Sequence, residues 1–327
     1  MRTQNIDTVV IGSGIGAMTC ASLLTQLGDE RVLVLERHFT AGGFTHEFRR
    51  PGGFSWDVGV HYIGRVNEGS LFTKLFDLLC GAPLRWNKMP DPFERFIYPD
   101  LDFGVYANPK RFREDLVALF PKERRGIQRY FRDIDNVSRW LGIGGVLSSL
   151  APGRLGSLTK GLFKILGRRK ALATTKEVLD GLFDDARLKG LLASQWGTHG
   201  VPPAQSAFAV HALIASHYLI GGYYPDGGAG GIAEGVQTVL DSGGGAMEVN
   251  HRVDEIIVEG GRARGVRGAV VRGKREEPFE VRAKRVVSGA GANTTYRQLL
   301  APELVPAAIH RDLEALPPGT AHANLYL

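Results

Sequence analysis

Gly12, Gly14 and Ala17, followed by Glu36 at the end of the next apolar run, have the types and spacing to hold a dinucleotide. In the turn Gly12-Ser13-Gly14-Ile15-Gly16-Ala17, Gly12 permits a tight bend and Gly14 lets backbone approach a pyrophosphate. Small Ala17, in the third, Gly-or-Ala position, lets a helix pack closely on a sheet. The free N–H groups at the start of that helix, with Ile15 and Gly16 in its first turn, face the phosphates at the positive end of the helix dipole. Glu36 is placed to accept from a ribose diol, and its charge would repel a 2′-phosphate, which disfavours NADP at this site.

This chemistry needs strand, turn, helix, strand and acid within about 30 residues, as the fingerprint requires. Residues 6–11 form a short β-branched apolar run. Met18, Ala21, Leu23, Leu24 and Leu27 recur at helical spacing, with Gly28 expected as the C-cap. Residues 32–35 form a second buried-strand pattern. The glycine pair Gly42-Gly43 soon after Arg37 is the device of FAD-binding folds of the glutathione-reductase type, where the chain crosses back over the pyrophosphate on bare backbone. A second GxGxxG is absent, which argues against a soluble NAD dehydrogenase. The expected fold class is α/β: a FAD-binding Rossmann-like domain with an inserted, largely helical substrate or cap domain.

The chain has 327 residues, 43% of them hydrophobic and 23% charged, which is globular composition. Its 43 glycines exceed the usual share without a collagen period, so they belong to turns and close approaches. Two cysteines, Cys20 and Cys80, make no disulfide scaffold and suit a reducing, cytoplasmic setting. The nine histidines form no metal-ligand spacing; His211 and His217 are six apart.

The net charge of +6 comes from one segment. Between Asp135 and Glu177 there are eight basic residues and no acidic one. Without a recognisable reading module, this basic run argues against nucleic acid as partner. Residues 144–173, with leucines interleaved among lysines, are the candidate for a peripheral contact with anionic lipid, set against a plain basic solvated surface. The run 207–222 is interrupted by His211, Ser216 and His217 and falls short of the ~20 residues a membrane span needs.

Helical spacing predicts helices over 71–80, 109–120 (with Asn108 as cap and Pro109 following), 122–141 and 231–240. Alternation predicts strands over 247–260, 265–272 and 278–287. The expected domains are 1–65 with 225–300 for the nucleotide, and 66–224 with 301–327 for the substrate.

Three blocks carry a resemblance. Residues 35–64 read LERHFTAGGFTHEFRRPGGFSWDVGVHYIG; residues 195–233 read QWGTHGVPPAQSAFAVHALIASHYLIGGYYPDGGAGGIA; Val286-Val287-Ser288-Gly289-Ala290-Gly291 follows. They resemble the flavoprotein superfamily of phytoene desaturases, carotenoid isomerases and retinol saturases, and most nearly its retinol saturase branch. The resemblance implies FAD as cofactor and an apolar, isoprenoid polyene as substrate, while the electron partner stays unnamed. It places Gly59, Val60 and His61 beside the flavin, Val253 at the adenine, Gly289 and Gly291 on the adenosine side, and the Gly227-Gly228 turn close to the ring. Saturation of a double bond needs a hydride and a proton; His61, Tyr62 and Tyr224 are the candidate proton donors. Saturation is the first expectation, desaturation or isomerisation the second, and a non-catalytic remnant binding nucleotide or lipid the third. Family members continue past the point where this chain ends, in a segment that closes over the flavin. Residues 321–327 read as a strand cut short, so the site is expected to be incomplete.

Overall fold

The computed structural model describes residues 6–150, 168–316 and 319, so residues 151–167 of the basic segment and the 321–327 end lie outside the described residues. Two compact units divide the chain. One comprises Met1–Tyr62, Val66–Asn87 and Tyr224–Pro317; the other Ile63–Arg65, Lys88–Tyr223 and Pro318–Leu327.

The first unit is built on a four-stranded parallel sheet in the order Arg285–Ser288, Thr8–Ile11, Val32–Leu35, Ala246–Glu248. The two inner strands are wholly buried, which is why they read as continuous apolar runs. Val10 and Val34 face a helical layer of Met18, Ala21, Ile232, Val236 and Leu240. Val9, Leu33 and Leu35 face Ile256, Val266 and Val281 of a three-stranded antiparallel sheet.

Three expectations are corrected here. Residues 66–87 and 301–317 pack in this unit, not with the substrate domain. The helix Leu71–Cys80 buries Leu79 and Cys80 in the core of the first helix, and Ser22 Oγ donates to the Leu79 carbonyl at 2.7 Å. Gly28 is the last residue of the helix Ile15–Gly28; Asp29, at φ 51°, is the left-handed cap, a conformation a short polar side chain tolerates. The stretch 247–260 is not one strand. Ala246–Glu248 joins the parallel sheet and His251–Glu259 the antiparallel one, because Asn250, at φ 59°, turns the chain between them.

The second unit is largely helical, as expected, with an antiparallel hairpin of Glu94–Tyr98 and Leu101–Val105 that the pattern did not announce. Its helices include Pro109–Leu119, Arg124–Leu150, Ala186–Ala193 and Phe208–Tyr218. Asn108 caps the first of these by accepting from the Lys110 and Arg111 amides. Leu116, Ile127, Tyr130, Ile134, Leu188 and Phe208 are fully buried. Among the described residues, no helix is long and apolar enough to cross a membrane.

Candidate dinucleotide site

The glycine turn sits where the first strand ends. Gly12 takes φ 87°, open to glycine at little cost, and its N–H donates to the Leu35 carbonyl at 2.8 Å. The helix Ile15–Gly28 starts without a side-chain cap, so its first N–H groups are left for a ligand. A Cβ on Gly14 or Gly16 would point into open space.

Glu36 is 8% exposed. One carboxylate oxygen accepts from Ser13 N at 2.8 Å and Ser13 Oγ at 2.6 Å; the other accepts from His38 N at 2.7 Å. Ser13 Oγ in turn accepts from Gly42 N at 2.9 Å. Ser13 thus ties the acid to the glycine pair. Gly43, at φ 57°, lies so close to the turn that a Cβ there would stand 2.7 Å from Gly14 Cα. Charged hydrogen bonds of this kind contribute about 1.5–3 kcal/mol each, so the carboxylate is held in one orientation.

Ser13, Gly14, Glu36, His38 and Gly43 line a cleft of about 800 Å³ together with Arg37, Val253 and Gly289. At Val253 the antiparallel sheet slips register between Val253 and Glu255, a bulge that brings Arg252, Val253 and Asp254 to the cleft. A second space of about 390 Å³ runs along Gly14, Ile15, Gly16, Ala17 and Gly289. Gly289 lies flat against the helix, where its Cβ would be 2.7 Å from Ala17 Cβ. Bare backbone, free amides and a ribose acid in one cleft fit a dinucleotide.

Gly42 acts through Ser13 and lines neither space. Gly59 packs on the Phe44 backbone, where a Cβ would stand 2.9 Å from the carbonyl oxygen. Val60, His61, Tyr62, Gly291 and Tyr224 also line neither; His61 is exposed and meets Tyr62 edge to face.

Tyr224 belongs to a separate polar corner. Its hydroxyl donates to Asp57 Oδ2. Asp57 stands directly opposite Glu47 in the hairpin Glu47–Arg50/Phe54–Asp57, a like-charged pair that is ordinarily unfavourable. Donors offset it: Glu47 accepts from Gly230 N at 3.0 Å, at the start of the helix Gly230–Ser242, and from Ser55 Oγ at 3.1 Å, while Asp57 accepts from Tyr224. Burial, and then the Glu47 charge, push the Asp57 carboxyl above its ordinary value; burial and the bond to Asp57 push the Tyr224 phenol up. Gly228 takes φ 98°, backbone that favours glycine, and a Cβ there would displace the Glu47 carboxylate.

Sequence reasoning missed Ser13, Glu47 and Asp57, and also His38 and His46, whose rings stand 4.8 Å apart on the cleft wall. The serine between two glycines was a readable signal; the pairing of Glu47 with Asp57 needed hairpin register.

A family model described as an NAD(P)-binding Rossmann-like domain matches residues 10–79. All-trans-retinol 13,14-reductase of Danio rerio is 32% identical over 99% of this chain and 54% of that protein. A second Danio rerio relative, named inactive all-trans-retinol 13,14-reductase, is 31% identical over 99% of this chain and 54% of that protein. Prolycopene isomerase 2 of an Oncidium hybrid cultivar is 27% identical over 93% of this chain and 51% of that protein. The chain thus spans about half the length of the curated relatives it matches. Among solved structures, an oxidoreductase from Methanosarcina mazei superposes with a TM-score of 0.66 at 19% identity, over 96% of this chain and 66% of that one, which supports the fold.

Proposed function

The chain belongs to the superfamily that joins retinol saturases to carotenoid isomerases, and on that premise we propose that its nucleotide unit binds FAD and serves an oxidoreductase acting on a carbon–carbon double bond of a polyene. The observation that carries the reading is the link from Glu36 through Ser13 to Gly42, with Glu36, Ser13, Gly14 and Gly43 lining the 800 Å³ cleft. It sets a ribose acceptor, a bare turn and a second glycine pair around one dinucleotide-sized space. The flavin supplies hydride transfer when bound.

The chain's own residues bind, orient and hold protons. Glu36 receives the ribose hydroxyls while keeping the Ser13 and His38 amides. The first-turn amides of the helix Ile15–Gly28 face the pyrophosphate. Gly43 keeps the returning chain against Gly14. Tyr224 is a candidate proton source: its hydroxyl donates to Asp57, which holds the phenol oxygen in place, and a proton reaches substrate from it only when that bond is exchanged. His61 and Tyr62, which meet edge to face, stand as candidates beside it. Saturation is the first reading and isomerisation the second, favoured by the prolycopene isomerase likeness. Peripheral contact with anionic lipid through 144–173 is part of the same proposal, supported by six basic residues and no acidic one in that stretch.

A visible spectrum of the purified protein, with the released cofactor identified by chromatography, tests the first half. One FAD per chain is expected; retention of NAD(P) in its place would overturn it. Incubation with a polyene under reducing conditions tests the second. Saturation removes a double bond and shifts absorption to shorter wavelength, whereas isomerisation keeps the number of double bonds.

A further inference from the structure

The helical unit carries an open cleft of about 540 Å³ lined by Arg113, Gln128, Phe131, Arg132, Asp135 and Leu219. None of these residues lines either space of the dinucleotide site. Arg113 comes from the helix Pro109–Leu119; Gln128, Phe131, Arg132 and Asp135 come from the helix Arg124–Leu150. On the second helix Gln128, Arg132 and Asp135 follow at i, i+4 and i+7, the spacing of a single helix face.

Two guanidinium groups, one from each helix, therefore share one space, and the acids of these helices already have partners. Glu114 pairs with Lys110 at 3.8 Å and Asp115 with Arg111 at 3.4 Å. Asp133 pairs with Lys170 at 2.6 Å, and Asp135, on the cleft wall, pairs with Arg139 one turn on. The charge of Arg113 is also held in place. Its guanidinium carbon lies 5.0 Å from the centroid of the Phe131 ring, a ring that is buried and met edge-on by Phe112 at 5.5 Å.

This arrangement selects among ligands. A cation would meet two like charges. A carboxylate has two oxygens, which one guanidinium fork saturates. A phosphoryl group has three oxygens and more than one charge, so forks from both helices can hold it together. The Gln128 amide, on the same wall as Arg132, adds N–H donors. The carbon of Phe131 and Leu219 lowers the local dielectric, which strengthens both ionic contacts.

We infer that this cleft binds a phosphoryl group, free or carried by a lipid headgroup, gripped between Arg113 and Arg132. The assignment does not depend on the polyene substrate.

The test uses the flavin-loaded full chain, so that the dinucleotide site is filled. Inorganic pyrophosphate, followed by phosphorus NMR, is the free probe. Phosphatidylcholine vesicles with and without phosphatidic acid are the lipid probe. Arg113→Gln combined with Arg132→Gln is expected to weaken binding of at least one probe by about tenfold or more. Flavin content and melting temperature should stay unchanged, since both side chains are exposed. Arg125→Gln combined with Arg129→Gln removes the same charge from exposed positions of the same helix outside the cleft. That control is expected to weaken binding by about threefold at most, because its charges act through screening solvent. A loss confined to pyrophosphate makes the source a soluble phosphate, and a loss confined to vesicles makes it a headgroup; either supports the site. Equal losses in the two double variants, the result diffuse charge would give, overturn it. So does a cleft variant that binds both probes as the unaltered protein does, or an unaltered protein that binds neither.

Discussion

The two units enclose space in opposite ways. In the nucleotide unit, the cleft exists where side chains are missing. Gly12 and Gly43 take left-handed backbone, Gly14 and Gly16 face open space, and Gly289 lies against Ala17. The fixed polar groups are few, and Ser13 connects them. In the core of the helical unit, a cavity of about 40 Å³ is walled by large side chains, among them Phe93, Leu191 and Tyr218, and the polar pair Tyr130 and His211 satisfies itself. The first arrangement suits a charged, hydrogen-bonding ligand approached by backbone. The second excludes charge. The difference teaches where each unit is vulnerable: the nucleotide site to an added atom, the helical core to an added charge.

The strongest way to break the comparison is to add atoms to the cradle. Gly43→Val forces a β-branched residue into left-handed backbone and drives its Cβ toward Gly14. Backbone strain of about 1–3 kcal/mol corresponds to roughly five- to 150-fold weaker flavin binding. Dialysis followed by absorbance at the flavin band measures it; retention of flavin at unaltered affinity would mean that the glycine pair does not approach the cofactor.

Tyr224→Phe removes one oxygen and keeps the ring. Loss of a positioned proton donor lowers kcat by about a hundredfold, with flavin content and KM near their original values. An unchanged kcat would leave Asp57 and Tyr224 as a structural pair that relieves the Glu47–Asp57 repulsion.

Acid tests the helical unit. Burial holds His211 down to about 4, and His217, whose Nε2 accepts from the Gly64 amide at 2.7 Å, is likewise held to about 4. Each is neutral when folded and protonates near its ordinary value when unfolded. Their stabilisation is therefore complete above pH 6.5 and is lost as pH falls from 6.5 toward 4. For His211 this amounts to roughly 3 kcal/mol. Melting followed across that window should show the loss, and His211→Gln, which cannot titrate, should flatten the slope.

The smallest effect belongs to the antiparallel sheet. Arg267 pairs with Glu255 and Glu280 on an exposed face. Such pairs contribute little in water, so Arg267→Ala should leave both the melting temperature and flavin binding unchanged. A large loss would show that this sheet braces the bulge at Val253.

Much of the nucleotide unit could be read in advance because its signals are local. Strand, glycine turn, helix and acid fall within residues 6–36, and each is set by near neighbours. The errors arose where a residue's state depends on distant parts of the chain. Asn250 carries the chain from one sheet to another, in a stretch whose alternation reads as one strand. The helix Leu71–Cys80 has apolar residues on more than one face, and only the core it meets shows that it belongs with the first helix. Register places Asp57 opposite Glu47, and Asp57 accepts from Tyr224, a meeting of three segments that spacing along the chain does not announce.

From its sequence alone, this protein's fold class and its glycine turn were determined, with Glu36 marked as the acid that ends the second strand, because backbone freedom at glycine and apolar periodicity act over a few residues. The Ser13 bridge, the bulge at Val253, the paired carboxylates and the apolar cavity were decided only by tertiary structure. Each brings together groups from separate segments, and which groups meet is set by how the sheets and helices pack.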